Sequence, residues 1–189
     1  MLESLYQYLH QNADLSKEDF KLLEPYFEIR HFGKGIYLVD IGEKENYVNF
    51  IAKGLIRKFF YRKLEEVTTH LAKEAEVACS AVSFLSGYPS DYILEALEPS
   101  TTISISRENL ETVYRKGPRF ERLGRLVITD WLLQKERWDI DWIVLNPRDR
   151  FVSFVRDNPG LIKRVPQKHL ASYLNITPET YSRFKHLIP

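Results

Sequence analysis

The sequence predicts an α+β fold in which an antiparallel β-sandwich or barrel lies between helical segments. Short runs of β-forming residues fill the stretch from Phe27 to about Arg107, separated by glycines and charged turns. A continuous helical pattern then runs from Pro118 to Leu145, long enough for about seven turns. The segment 164–189 has the pattern of two short helices joined by a tight turn.

The first half of the chain supplies the N-terminal helices and the strands. A helical region is expected at 2–24, with a second helix start at Ser16 and an end at Pro25. The expected strands are FEIRHF, IYLVD, NYVNFIAKG, LIRKFFYRK, EVTTHLA, YILEALE and TTISISR, with Gly33, Gly42, Gly54 and Gly87 between them. Ser106 is expected to open the next helix because its hydroxyl can cap free backbone N–H groups.

The long helix carries an apolar seam with heptad spacing. One heptad position holds Gly124, Trp131, Trp138 and Leu145, and the other holds Val127, Gln134 and Asp141. This spacing predicts pairing with a symmetry mate through Val127, Trp131, Gln134 and Trp138. Because Gln134 and Asp141 are polar, a second interpretation stays open: a single helix lying on its own β domain with its tryptophans buried.

Pro147 ends the long helix. A further short helix is expected in PRDRFVSFVRDNPGL, ending at Asn158-Pro159-Gly160.

The C-terminal segment has the spacing of a helix-turn-helix. A helix starting near Pro166 places Leu170, Ala171 and Leu174 on one face, and Asn175 follows where a left-handed turn residue is needed. Thr177 and Pro178 form a cap and a first-turn proline for the second helix. That helix turns Tyr181, Phe184 and Leu187 inward. An ordinary helical hairpin has similar apolar spacing, so a hairpin without DNA-binding function stays open as the alternative at this point.

Composition and charge narrow the class of protein. The chain has 189 residues, 44% hydrophobic, and a net charge of +1. From Pro147 onward it holds eight Lys/Arg and three Asp/Glu, a local charge of +5, which leaves −4 on residues 1–146. A basic C-terminal module that follows an acidic body is the charge distribution expected of a protein that contacts phosphates.

The apolar runs are too short to span a bilayer, and the N-terminus lacks a signal-peptide pattern. With Cys79 as the one cysteine, an internal disulfide is excluded and a cytoplasmic protein is expected.

The order of β domain, long helix and helix-turn-helix resembles the Crp/Fnr family of bacterial transcription regulators. The resemblance covers nearly the whole chain. It is carried by YVNFIAKGLIRKF (47–59), by SFLSGYPSDYILEALE (83–98) and by VPQKHLASYLNITPETYSRFKHL (165–187). It implies an antiparallel β-roll of the jelly-roll type over residues 1–116, a long dimerisation helix at 117–145, and a DNA-binding helix-turn-helix at 146–189.

The resemblance also implies partners and site residues. It implies a homodimer that binds a two-fold symmetric DNA operator, and it makes RNA polymerase a further candidate partner. The recognition helix starts at Thr177, where Glu179, Thr180 and Arg183 match positions that touch bases and phosphates. The remaining expected DNA-contacting residues are Gln167, Lys168, His169, Ser182 and Lys185. Arg183 can donate two hydrogen bonds to guanine, and Glu179 can accept one from cytosine.

The effector cassette departs from the family pattern. Cyclic-nucleotide binders need a Gly-Glu pair and an Arg followed by Ser or Thr, whereas Ser80 stands at the glutamate position and Ser90 and Asp91 at the other two. Ser83 completes the degenerate pocket. Because an anionic Asp91 would repel a phosphate, cyclic AMP is not expected to bind in the usual way. Haem and iron–sulfur clusters are unsupported because the histidines are scattered and the cysteine is single. A different small-molecule effector remains open.

Two further expectations concern activity. No wing follows the recognition helix, which reduces the expected phosphate contacts. The second hypothesis is therefore a β-roll ligand- or protein-binding module with a non-functional helix-turn-helix. An enzyme is disfavoured because the sequence holds no nucleophile–base pattern, glycine-rich phosphate loop or metal-ligand cluster.

Overall fold

The computed structural model describes residues 1–188 and has the predicted α+β organisation. Helix α1 spans Leu2–Ala13 and α2 spans Lys17–Leu23, followed by a 3-10 turn at Glu24–Tyr26. Ser16 caps α2, accepting a hydrogen bond from the Asp19 N–H at 3.1 Å. The second helix start expected at Ser16 is therefore confirmed.

The strands form two antiparallel sheets. They are β1 (Phe27–Phe32), β2 (Tyr37–Val39), β3 (Tyr47–Lys53), β4 (Ile56–Arg62), β5 (Glu65–Ala72), β6 (Val77–Ala78), β7 (Ile93–Ala96) and β8 (Ser100–Ser106). The first sheet has the order β1-β8-β3-β6 and the second β2-β7-β4-β5. Because most consecutive strands alternate between the sheets, the strands form a roll, and we call β1–β8 the roll. Seven of these strands were predicted, and the two-residue β6 was not.

One glycine is required by the geometry of the roll. Gly54, between β3 and β4, has a φ of +106°. A Cβ atom there would lie 2.2 Å from the Ser100 hydroxyl oxygen and 2.7 Å from the Ser100 Cα. The turn can therefore approach β8 this closely only with glycine.

The remaining helices connect the roll to the C-terminal segment. Helix α3 (Ala81–Ser86) lies inside the predicted cassette and was not predicted. Helix α4 (Arg107–Tyr114) is capped by Ser106 as expected, and α5 (Pro118–Val144) has the expected bounds within one residue. Then follow α6 (Pro147–Asp157), α7 (Pro159–Arg164), α8 (Gln167–Tyr173), α9 (Pro178–Phe184) and a 3-10 turn at Lys185–Leu187.

Helix α7 differs from the sequence prediction. The chain was expected to leave helical structure at 158–160, but Pro159 occupies the first turn of a new helix. Proline is accepted there because its missing N–H would have had no helical partner. Across residues 1–188, none of the helices is both long and apolar enough to cross a bilayer.

Helix α5 lies along its own subunit. Val127 and Trp131 pack against the core formed by α1 and the outer face of the first sheet. Farther along, the Trp138 ring lies 5.5 Å from the Tyr173 ring of α8. Gln134 is exposed. In this respect the packing matches the second interpretation, in which the helix lies on its own domain, but Trp131 and Trp138 are half-buried and not buried. Pairing of α5 with a symmetry mate stays a prediction.

Candidate nucleic-acid interface and effector cassette

The C-terminal helices form the predicted helix-turn-helix, which we define as residues 167–187. Leu170, Ala171 and Leu174 of the first helix are buried, and Asn175 adopts the left-handed conformation with a φ of 50°. The Thr177 hydroxyl caps α9 by accepting from the Thr180 N–H at 3.2 Å. These local signals were all predicted, because each depends on residues within a few positions of one another.

A small aromatic core holds α9 against α6. The Tyr181 ring meets the Phe151 ring edge-on, with 5.3 Å between centroids, and both side chains are almost fully buried. Phe184 adds a second contact to Phe151 at 5.5 Å. Burial of this face fixes the opposite face of α9 toward solvent.

The exposed face of α9 carries the predicted contact residues. Glu179, Ser182, Arg183 and Lys185 are exposed, and Thr180 is half-buried. The Arg183 guanidinium donates to the Thr180 hydroxyl at 3.1 Å, so it lies along the first turns of the helix. A hydrogen bond involving the Thr177 side chain lowers the pKa of Glu179, which keeps its carboxylate ionised. On α8, Gln167 and Lys168 are also exposed.

His169 is an exception to the expected charged face. It was expected to add charge near phosphates, but its side chain is buried. Burial, with Arg57 and Lys168 nearby, lowers the pKa of His169 to about 4, so the ring is neutral at pH 7. The expectation for His169 is wrong because the helix turns this position toward the roll.

Several basic side chains of the C-terminal module have structural partners. Arg150 donates to the carbonyl oxygens of Trp142, Leu145 and Leu174, which joins the end of α5 to the end of α8. Arg156 pairs with Asp157 at 2.8 Å. Arg164 pairs with acidic groups of the roll. Besides Arg150, the basic residues of the module without an ion pair in residues 1–188 are Arg148, Lys163, Lys168, Arg183 and Lys185.

The helix-turn-helix docks on the outer face of the second sheet. Ser172 of α8 covers the free edge of β5, accepting from the Thr68 N–H at 2.9 Å and donating to the Glu66 carbonyl at 3.0 Å. Leu55, Leu71 and Leu97 of the roll belong to the same buried cluster as the C-terminal helices. The edge of β5 is thereby protected from pairing with other chains.

A buried arginine lies under this contact. Arg57 of β4 is 1% exposed, and its guanidinium donates to the Thr68 hydroxyl and pairs with Glu66 at 2.8 Å and Glu95 at 3.3 Å. Its Nη2 atom has no hydrogen-bond partner within residues 1–188. The Glu66 carboxylate lies 3.9 Å from His169 Nδ1 and so links the roll to α8.

The cassette serines lie together and bond to protein groups. Ser80, Ser83 and Ser90 are buried, and the Ser90 hydroxyl donates to that of Ser80 at 2.7 Å. The Ser83 hydroxyl donates to the Tyr88 carbonyl at 2.6 Å. Asp91 does not join them and is exposed. Cys79 is buried, as expected for a small apolar residue, and burial raises the pKa of its thiol well above the usual value.

A carboxylate that the sequence analysis did not single out occupies the cassette. Glu45 is 3% exposed, and its two oxygens accept from the Tyr47 N–H at 3.0 Å and the Ser80 N–H at 3.3 Å. Its own N–H donates to Ser83. Burial raises the pKa of Glu45, while these N–H groups act in the opposite direction. A buried carboxyl group therefore takes the Ser80 N–H at the start of α3.

A half-buried lysine adds a second unpredicted group beside the cassette. Lys58 donates to the Cys79 carbonyl at 3.4 Å, and its ammonium lies 4.2 Å from the centre of the Tyr92 ring. Burial lowers the pKa of Lys58. Side chains alternate along β4, so Lys58 lies on the face opposite to that of Arg57, which faces α8. This alternation is the only feature of the sequence that could have predicted the position of Lys58.

Comparison with known proteins identifies the fold. No protein-family model and no curated protein matches the chain. Among solved structures, the c-di-GMP-responsive global regulator CLP of Xanthomonas campestris superposes with a TM-score of 0.70 at 15% identity, over 89% of each chain. A Crp/Fnr-family transcriptional regulator from Eubacterium rectale gives 0.69 at 13% identity, over 90% of this chain and 82% of the other. The catabolite activator protein of Thermus thermophilus gives 0.59 at 20% identity, over 95% and 85%.

The chain has a Crp/Fnr-type fold, and the predicted resemblance is confirmed at that level. The fold is the α+β arrangement expected from the sequence: a roll of two antiparallel sheets, a long helix and C-terminal helices. The first two neighbours are named as regulators and the third as an activator protein.

Proposed function

We propose that the protein is a dimeric DNA-binding transcription regulator of the Crp/Fnr type that acts in the cytoplasm. The observation that carries this proposal is α9, whose buried Tyr181 fixes an outward face formed by Glu179, Ser182 and Arg183. Readout of base edges requires hydrogen-bond donors and acceptors on the exposed face of the recognition helix, near its N-terminus. Contact with RNA polymerase stays a prediction of the resemblance.

A mobility assay at two salt concentrations tests this proposal. Neutralising phosphates with Lys168, Arg183 and Lys185 releases counterions, so retardation should weaken steeply as salt rises. When a random DNA library is selected for binding, one sequence should be enriched over the others. Absence of any retarded species at low salt would contradict the proposal.

We place the dimer interface on the exposed face of α5. Val127, Trp131 and Trp138 face the subunit's own core, whereas a second set of apolar side chains lies around the other side of the helix. These side chains are between 41% and 81% exposed and comprise Ile128, Leu132, Leu133, Ile140, Ile143 and Val144. A long helix with such a face requires a partner, and a second copy would present two recognition helices to a two-fold operator.

The cassette supports a regulator that does not respond to cyclic AMP in the usual way. The Glu45 carboxylate already accepts from the N–H groups of Tyr47 and Ser80. A cyclic phosphate entering there would find these N–H donors already used by Glu45, and a buried phosphate needs such donors or a cation. Calorimetric titration with cyclic AMP should give no heat beyond dilution, and micromolar affinity would contradict this part of the proposal.

A roll-based binding module remains the second candidate. Its supporting observation is the docking of α8, because Ser172 and His169 are committed to the roll. In that case α8 and α9 would serve to cover the edge of β5. The same mobility assay separates the candidates, since a structural role predicts no salt-dependent retardation.

A further inference from the structure

An apolar cavity, partly open to solvent, lies on the outer side of the first sheet, and none of the cassette serines lines it. Its volume is about 240 Å³. Phe50 and Ile103 of the sheet form one wall, and Leu5 and Leu9 of α1 form another. Trp131 of α5 lies on a third side. The cavity is therefore lined mainly by the first sheet, α1, α3, α4 and the first half of α5, the helix that links the roll to the C-terminal module.

Two phenols in the lining have no protein partner. Tyr8 and Tyr114 line the cavity, and neither hydroxyl makes a hydrogen bond within residues 1–188. Burial, with smaller contributions from Asp130 and Glu76, raises the pKa of Tyr8 to about 12, so it is a neutral donor at physiological pH. Both side chains are half-buried and their hydroxyls are not fully removed from solvent, so each can donate a hydrogen bond to a polar group that enters the cavity.

A glycine brings one of these phenols against α5. A Cβ atom at Gly124 would lie 2.1 Å from the Tyr114 hydroxyl oxygen, so a larger residue would displace the ring. Gly124 is also part of the lining.

The charged residues that line the cavity lie only at its α4 end. Arg107 and Glu111 lie one turn apart on α4, and both line the cavity. Arg107 donates from Nη2 to the Leu85 carbonyl at 2.6 Å, and it holds further N–H donors on the same guanidinium. Ligands that combine a long apolar part with one acceptor group match this distribution of polar atoms.

The cavity and the cassette use opposite sides of α3. Ala81, Phe84 and Leu85 line the cavity, whereas Ser80 and Ser83 bond with Glu45. Occupation of the cavity would therefore leave the hydrogen bonds of the cassette intact.

We propose that this cavity binds a small amphiphilic carboxylate, with an aliphatic tail between the sheet and α5 and a carboxylate at Arg107. A dry cavity of about 150 Å³ accepts benzene, so 240 Å³ accepts about ten non-hydrogen atoms. Octanoate has that size. Its carboxylate would take charge-assisted hydrogen bonds from Arg107, while the neutral phenols offer secondary donors.

Binding at this place would act on α5. The tail would contact Val127 and Trp131, which belong to the helix that carries the C-terminal module. An effect of the bound ligand on DNA binding, transmitted through α5, rests on the proposed DNA-binding function. Binding of the ligand to the cavity does not. The test therefore measures ligand binding first, without DNA.

The experiment titrates the full chain with octanoate by calorimetry and by tryptophan fluorescence. Trp131 lines the cavity, so the fluorescence change should disappear in Trp131→Phe while the calorimetric heat remains. Val48→Phe puts a larger side chain into the lining and should reduce affinity by about tenfold or more. Val82→Phe is the matched control, because Val82 is exposed on α3 outside the lining, and it should bind normally. Equal binding by both variants would overturn the proposal.

The position of the head group has its own test. Arg107→Gln should weaken octanoate by about tenfold and leave 1-octanol within about twofold, because only the carboxylate uses the charge. Glu111→Gln should tighten octanoate by removing a like charge. Identical effects on acid and alcohol would overturn the assignment of the carboxylate to Arg107. Octanoate binding without any DNA retardation would contradict only the proposed DNA-binding function. DNA retardation without octanoate binding would contradict only the proposed ligand site.

Discussion

Arg164 of α7 and Glu74 of the roll form a double hydrogen bond, with Nη1 and Nη2 at 2.9 and 2.8 Å from the two carboxylate oxygens. Nη2 also pairs with Glu98 at 2.6 Å and donates to the Gly54 carbonyl at 3.1 Å. One side chain thus ties the segment before the helix-turn-helix to three points of the roll. A fork-shaped donor suits this role because it can hold two carboxylates at defined angles.

Glu74→Gln should remove a pH-dependent part of the stability. Burial opposes ionisation of Glu74, but the Arg164 and Gly54 hydrogen bonds outweigh it and lower the pKa from 4.5 to about 2. Because the folded value is below the unfolded one, the stabilisation is present above pH 4.5 and is lost as pH falls toward 2. The partly exposed pair is screened by solvent, so we expect a loss of about 1 kcal/mol at pH 7.

Urea unfolding at several pH values measures this effect. The free energy of unfolding of the wild-type protein should fall more steeply between pH 5 and pH 2, by about 1 kcal/mol, than that of Glu74→Gln. Glu65→Gln is the control, because within the described residues Glu65 has an ion pair only with Arg62, and both side chains are well exposed. Parallel curves for wild type and Glu74→Gln would contradict the prediction.

Ser172→Ala should destabilise the docked arrangement. The substitution leaves the Thr68 N–H and the Glu66 carbonyl at the β5 edge without their partner. An unpaired buried group costs about 1–3 kcal/mol, and Thr68 is 3% exposed. Ser182→Ala, an exposed position on α9, should change the free energy of unfolding by less than about 0.5 kcal/mol. Equal values for the two variants in urea unfolding would count against the docking contact.

The helix-turn-helix could be predicted because its determinants are local. The cap at Thr177 acts on Thr180, three residues away, and Asn175 supplies the left-handed conformation of the turn. The docking of this unit could not be predicted in the same way. Ser172 bonds to Thr68 across 104 positions, and a lone serine on a helix has no pattern that marks such a partner.

Helix α5 and Glu45 show two further limits of sequence reasoning. Helix α5 carries apolar residues on two faces, so periodicity finds Trp131 and Trp138 but does not say that they face the subunit's own core. Glu45 lies in a charged turn and has the pattern of a solvated residue, yet backbone N–H groups of Tyr47 and Ser80 bring it inside. Both features depend on contacts between distant segments, which composition and spacing do not encode.

Arg183→Ala should weaken specific DNA binding and blur the preference at one base pair. Arg183 is exposed on the outward face of α9, where its guanidinium can reach guanine O6 and N7. Loss of a bidentate base contact costs about 1–3 kcal/mol. Binding to a selected operator and its single-base variants measures this, with Arg122→Ala on α5 as the control. Unchanged affinity across the whole set would exclude a base-reading role for Arg183.

Lys168→Ala should act through phosphate instead. Lys168 is exposed on α8 and has no ion pair within residues 1–188. Its loss should weaken binding to all sequences alike and reduce the slope of log affinity against log salt by about one. His169→Gln should leave that slope unchanged, since His169 is buried and neutral. A sequence-dependent effect of Lys168→Ala would contradict the phosphate assignment.

Leu132→Glu and Ile140→Glu should each dissociate the dimer. Leu132 is 57% and Ile140 56% exposed on the free face of α5, and a carboxylate there would be buried without a partner in a paired helix. Removing a central apolar contact weakens association by about tenfold or more. Leu64→Glu, in the exposed turn between β4 and β5, is the matched control and should remain dimeric. Sedimentation equilibrium measures the association constant, and an unchanged dimer in both α5 variants would move the interface to another surface.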